Sequence, residues 1–189
     1  MLNQISRFLK LDTSLSGDSS QEMQGERKAQ GKLTTRQRTC CFTGHRSVPE
    51  SDYEMISYRL EMELRKLIGN GVTFYGAGGA LGFDTIAAET VIRLREEFPH
   101  IKLILVLPCE TQAFRWRQED KDRYERIKGQ ADKAVLISRE YTKDCMFRRN
   151  RHLVDGSSIC LCYLTKDTGG TAYTVKYARE QGLEVINLA

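Results

Sequence analysis

Three glycine-rich turns, each set between a short apolar run and a helix-like stretch, constrain this chain more than any other feature. They are Thr43-Gly44-His45-Arg46, Gly76-Ala77-Gly78-Gly79-Ala80-Leu81-Gly82 and Thr168-Gly169-Gly170-Thr171. Strands alternating with helices imply a parallel sheet covered on both faces. A helix that starts on glycine offers unpaired N–H donors and partial positive charge, which suits phosphate. In such sheets ligands bind beyond the carboxyl ends of the strands, at a topological switch point. Three such turns on one edge would build a nucleotide-sized crevice.

The elements follow from periodicity. Thr39 to Thr43 reads as the first strand. Pro49 and Ser51 open a helix with Tyr53, Ile56, Leu60, Leu64 and Leu67 as its apolar stripe, ended by Gly69-Asn70-Gly71. Val72 to Tyr75 is the second strand. The next helix turns Ile86, Ala87, Val91 and Leu94 inward and stops before Pro99. Ile101 to Leu107 is an almost unbroken aliphatic run, the pattern of a strand covered on both faces. A charged helical segment is expected over 111–130, a strand over Ala134 to Ser138, and a short helix from Met146 to Val154. Ile159 to Tyr163, Gly170 to Gln181 and Glu184 to Leu188 read as strand, helix and strand.

Composition sets the limits. A chain of 189 residues with 40% hydrophobic and 29% charged residues is an ordinary globular sequence. Residues 1–38 hold seven Lys/Arg against four Asp/Glu, so three of the four net positive charges lie there and the remainder carries one. That disfavours a broad nucleic-acid footprint. Residues 12–38 are too polar to bury a core, so 1–38 reads as a disordered tail and 39–189 as the folded domain. The first fifteen residues read either as a frayed terminus or as a short amphipathic helix. No run approaches the roughly 18 apolar residues of a membrane span. The six cysteines form no C-x-x-C pair, and no metal pattern emerges. Cys40, Cys41, Cys160 and Cys162 lie in apolar runs and are expected as buried thiols in a reduced, cytoplasmic setting.

The turn 76–82 departs from the dinucleotide fingerprint in spacing and follows the second strand, which disfavours a standard NAD site. It is either a phosphate loop or a tight turn needing positive φ. Asp84 either caps the next helix or binds a ribose hydroxyl. His45 and Arg46 belong either to a solvated loop or to the ligand site, with Arg46 on phosphate. Thr168-Gly169-Gly170-Thr171, with two glycines and two hydroxyls, is either the best single phosphate cradle or a capped turn. Arg148 to Arg151 forms a solvated helix face or sends one Arg into the crevice. Trp116 covers the sheet or borders a base.

Taken in order, these residues resemble the YpsA-like family of the SLOG superfamily, which also holds the LOG phosphoribohydrolases and DNA-processing protein A. The resemblance covers about residues 39–188. It rests on Thr43, Gly44, His45 and Arg46; on Gly76, Ala77, Gly78, Gly79, Gly82 and Asp84; on Pro108, Gln112 and Trp116; on Arg149 and Asn150; and on Gly169, Gly170 and Thr171. It implies a single Rossmann-like, three-layer α/β domain with a mostly parallel sheet. It also implies a nucleotide-derived ligand of the ADP-ribose or NAD-derivative type, held by those residues in a bacterial-type sensor, with no further cofactor required. A homo-oligomer is compatible with this reading, while the near-neutral charge of residues 39–189 disfavours a nucleic-acid partner. LOG enzymes carry M-x-x-R-K and G-G-x-G-T-x-x-E. Here Met146 to Asn150 aligns with the first, with Asn150 in place of the Lys, and Thr174 stands where the second has Glu. Thr cannot act as a carboxylate in N-glycosidic cleavage. The alternatives are a LOG-type hydrolase, using Asp84 or Glu110 in its place, and a single-stranded-DNA binder. No residue is assigned a catalytic role.

Overall fold

The computed structural model describes residues 33–189. The tail and amphipathic-helix readings for residues 1–32 therefore lie outside the described residues. Ahead of the first strand, Arg36–Arg38 forms a 3-10 turn. It is held because Arg38 donates to Thr73 Oγ1 at 2.8 Å and lies over the Phe74 ring.

Six strands follow: β1 (Thr39–Gly44), β2 (Phe74–Ala77), β3 (Lys102–Leu107), β4 (Lys133–Leu136), β5 (Ile159–Tyr163) and β6 (Glu184–Asn187). The helices between them are α1 (Glu50–Gly69), α2 (Phe83–Leu94), α3 (Gln118–Gln130), α4 (Cys145–Asp155) and α5 (Gly169–Glu180). Every pairing is parallel and the order is β4-β3-β2-β1-β5-β6. The expected three-layer α/β fold is what forms, with the sheet wholly parallel.

Burial explains the layers. Ile56, Leu60 and Leu64 of α1, Phe83, Ile86 and Val91 of α2, and Tyr124 and Ile127 of α3 share one core with β1 to β3. Leu153 and Val154 of α4 and Val175 and Ala178 of α5 fill the opposite side with Cys41, Cys160 and Cys162. Central strands are buried on both faces, while the edge strands β4 and β6 are short and partly exposed, which limits edge pairing. All six cysteines are free and buried, the four strand cysteines as expected.

Local expectations change at four places. Strand β2 runs Phe74–Ala77 rather than Val72 to Tyr75, so Gly76 and Ala77 of the expected turn belong to it, and β4 runs Lys133–Leu136 rather than Ala134 to Ser138. Tyr53 leaves the α1 stripe for its rim, where its hydroxyl accepts from Arg123. Residues 111–117 run as turns closed by Phe114 N–H to Thr111 and Trp116 N–H to Ala113. Helix α3 begins only at Gln118, where Glu119 and Asp120 complement its N-terminal dipole.

Candidate functional site

The chain runs from β1 outward to β4, then crosses back to place β5 on the other side of β1. Strands β1 and β5 therefore send their connections to opposite faces, and a crevice opens beyond their carboxyl ends. A cleft of about 270 Å³ lies there, lined by Phe42, Thr43, Gly44, His45, Arg46, Ala80, Asp84, Met146, Arg149, Asn150, Gly170 and Thr171. All three sequence motifs and α4 reach it.

Helix α5 supplies the floor. Thr168 precedes it in extended conformation without a side-chain cap, and no acidic residue sits in its first turn. The N-terminal N–H groups of α5 are thus free of the side chains that would ordinarily satisfy them. A Cβ on Gly170 would meet nothing within 4 Å.

Beside this helix end sits a buried ion pair. Arg149 Nη1 is 3.7 Å from Asp84 Oδ2, and both side chains are buried. Asp84 accepts from Gly78 N–H at 3.0 Å and Ala80 N–H at 3.4 Å, while Arg149 donates to Gly78 C=O. The same peptide run is held by a carboxylate on its N–H side and a guanidinium on its C=O side. Burial raises the Asp84 carboxyl above its ordinary range, against the pull of Arg149 and the two N–H groups. Burial likewise lowers Arg149, against the pull of Asp84. Arg149 Nε has no partner although it is buried, and such an orphan donor is costly unless something accepts from it. Asp84 caps neither α2, whose N-cap is Gly82, nor any other helix; it braces the glycine turn.

The glycine turn itself answers to packing. A Cβ at Gly76 would come 2.9 Å from Leu153 Cδ2, and one at Gly78 would overlap the Arg149 guanidinium. Gly82 has φ 75° and lies against the carbonyls of His45 and Arg46. Gly76, Ala77, Gly78 and Gly79 do not line the cleft, and neither does Pro108. The phosphate-loop reading of 76–82 thus contracts to Ala80 and to the support the turn gives Asp84 and Arg149. Gly82 borders a different cleft with Arg46 and Tyr53, and Gly169 faces away beside Tyr173 and Lys176. Gln112 and Trp116 line a further cleft, with Phe114 and Tyr141.

His45 is engaged as well. Its Nε2 accepts from Thr165 N–H at 3.0 Å, which ties the β1 and β5 loops together. Arg46 is exposed at the mouth, with its guanidinium 4.0 Å from Met146 Sδ. The two positions that depart from the hydrolase pattern meet each other: Asn150 Nδ2 donates to Thr174 Oγ1 at 2.7 Å, and Thr174 donates to Gly170 C=O at 2.8 Å. Asp84 is the sole carboxylate lining the cleft among the described residues. Glu110 is exposed and lines none of these clefts. Sequence reasoning did not assign Ala80, Met146 or Phe42 to the site. The first two stand inside motifs already marked, and Phe42 carries no signal beyond an apolar strand.

A family model described as the YspA SLOG family matches residues 40–185. The chain belongs to this family, that of YpsA. A UPF0398 protein of Bacillus velezensis is 31% identical over 129 residues, 67% of this chain and 71% of that protein. The fold is similar to that of DNA processing protein A from Streptococcus pneumoniae, with TM-score 0.58 and 17% identity over 79% of this chain and 49% of that one. It is also similar to the Helicobacter pylori protein of the same name, described for its single-stranded DNA binding mode, with TM-score 0.58 and 18% identity over 81% of this chain and 65% of that one. The YpsA-family match spans all three glycine turns and the α4 arginines, so the switch-point cleft lies wholly within it. No helix among the described residues is long and apolar enough to cross a membrane.

Proposed function

We propose that the switch-point cleft binds a nucleotide-derived small molecule through its phosphate, in a sensor or regulatory protein. ADP-ribose or another NAD derivative is the ligand class. The carrying observation is the convergence on one cleft of an uncapped helix end at Gly170-Thr171, Arg46, and Arg149 with its unpartnered buried Nε. A phosphate satisfies backbone N–H groups and guanidinium together.

Binding without turnover fits the carboxylate inventory. The single lining carboxylate, Asp84, is already bound to two N–H groups and a guanidinium, and the Asn150–Thr174 pair fills the positions of the hydrolase Lys and Glu. Calorimetric titration of the full chain with ADP-ribose, NAD and AMP, with product analysis of each sample, tests the reading. We expect micromolar binding without product. Gly170→Leu, for which the first side-chain atom meets only open space, should abolish binding and keep the fold. Release of free base or ribose phosphate would instead make the protein a hydrolase, and unchanged affinity in Gly170→Leu would remove the phosphate from α5.

Single-stranded DNA binding is the second reading, favoured by exposed Phe114 and Tyr141 near Arg46 and Arg115. Its mark is an oligonucleotide affinity that falls steeply with salt.

A further inference from the structure

A second cleft, of about 710 Å³, opens beside the first, and its lining is of a different kind. Its walls include Phe114, Trp116, Tyr141, Met146, Gln112 and Arg46. The two clefts share Arg46 and Met146 as common lining, so they adjoin at these side chains. The first cleft is charged and polar. The second presents three aromatic rings and a thioether.

The rings are held unequally. Trp116 packs edge-on against Tyr124, with centroids 5.4 Å apart and planes at 77°, which fixes the indole. Gln112 donates to Gly79 C=O at 2.6 Å and so anchors residues 111–117 onto the glycine turn. Phe114 and Tyr141 are 76% and 62% exposed. Single exposed apolar residues are unremarkable. Two exposed rings lining the same cleft as a half-buried indole and a methionine form a surface suited to a flat aromatic group, because rings stack on rings and thioethers adapt to them. Nucleobases stack on such side chains irrespective of sequence.

We propose that this second cleft seats the base of the ligand whose phosphate lies at α5, which makes that ligand a nucleoside phosphate and not a bare sugar phosphate. The assignment rests on the phosphate reading of the first cleft. Arg46, common to both, bridges them: its guanidinium serves the phosphate from one side and borders the base from the other. Of the two readings the sequence left for Trp116, covering the sheet is met by its packing against the core, and bordering a base is what this assignment adds.

Trp116 is the chain's single tryptophan, so its emission reports on this cleft. The test titrates the full chain with AMP and with ribose 5-phosphate, following heat and Trp116 emission excited at the red edge, where the nucleotide does not absorb. AMP is expected to change the emission and to bind on the order of tenfold tighter than ribose 5-phosphate. Ribose 5-phosphate is expected to bind and leave the emission unchanged. Phe114→Ala combined with Tyr141→Ala, both at exposed positions, should bring AMP down to the affinity of ribose 5-phosphate without altering the latter. Equal affinities with silent emission would overturn the base subsite and leave the phosphate site standing, as would equal weakening of both ligands by the double substitution. Failure of both ligands to bind would overturn the phosphate site and the base subsite together.

Discussion

Gly44 shows how a residue can serve a site without touching a ligand through a side chain. A Cβ there would overlap the Phe83 ring and its Cβ, at the point where α2 crosses the end of β1. Phe83 is fully buried and has no free direction in which to move. Gly44→Ala is therefore expected to destabilise the protein by about 1–3 kcal/mol through overpacking, read as a lower Tm in thermal unfolding. A Tm equal to wild type would mean that the crossing is slack. In the sequence, Gly44, Gly76 and Gly78 look the same as Gly170, a glycine beside a cradle. What separates them is the occupant of the space beside each: Phe83, Leu153 and Arg149 against nothing. Those occupants are remote in sequence or on another helix, so spacing alone could not sort them. Asp84 was ambiguous for the same reason. Its partners are two backbone N–H groups and an arginine brought by α4.

Among the elements, β1 and β5 are interior neighbours in the sheet and carry four of the six thiols. Hydrogen bonding with Cys41 and burial push the Cys160 thiol well up, and burial does the same to Cys40. Burial holds Cys162 at about 11. Thiols rather than thiolates, shut away from solvent, react slowly. The native protein is expected to leave Cys40, Cys41, Cys160 and Cys162 unmodified by a thiol-specific reagent near neutral pH, and to expose them on denaturation. Rapid modification of any of these four in the native state would contradict the burial of these strands. The strand cysteines were legible because they sat in apolar runs. The segment 111–117 was not, since its charged residues carry no period. Its turns are set by Gln112 bonding to Gly79 and by Trp116 packing on Tyr124, contacts made only once the sheet has formed.

At the scale of the whole molecule, the alternation of strands and helices was enough to foresee the three layers, and the glycine turns marked the carboxyl edge. Strand order has no signature in the spacing of the motifs; the reversal between β1 and β5 is what turns separate motifs into one cleft. The same packing makes the fold sensitive to alkali. Burial pushes the Tyr75 phenol far up and the Tyr124 phenol up to about 12. Folded values above the unfolded one mean that their contribution is intact below about pH 10. That contribution is lost as pH rises through about 12, the value of Tyr124. Chemical denaturation across this window should show stability falling with pH, with a shallower fall in Tyr124→Phe. Identical slopes in the two proteins would exclude Tyr124 as a contributor.

Everything proposed for this cleft turns on a phosphate seated at the first turn of α5. The most direct measurement is a backbone-amide NMR titration of the full chain with ADP-ribose. Large shifts are expected on the amides of Gly44, Gly170 and Thr171, saturating together at one affinity. Shifts that leave those three amides unmoved, or that cluster elsewhere on the sheet, would contradict it.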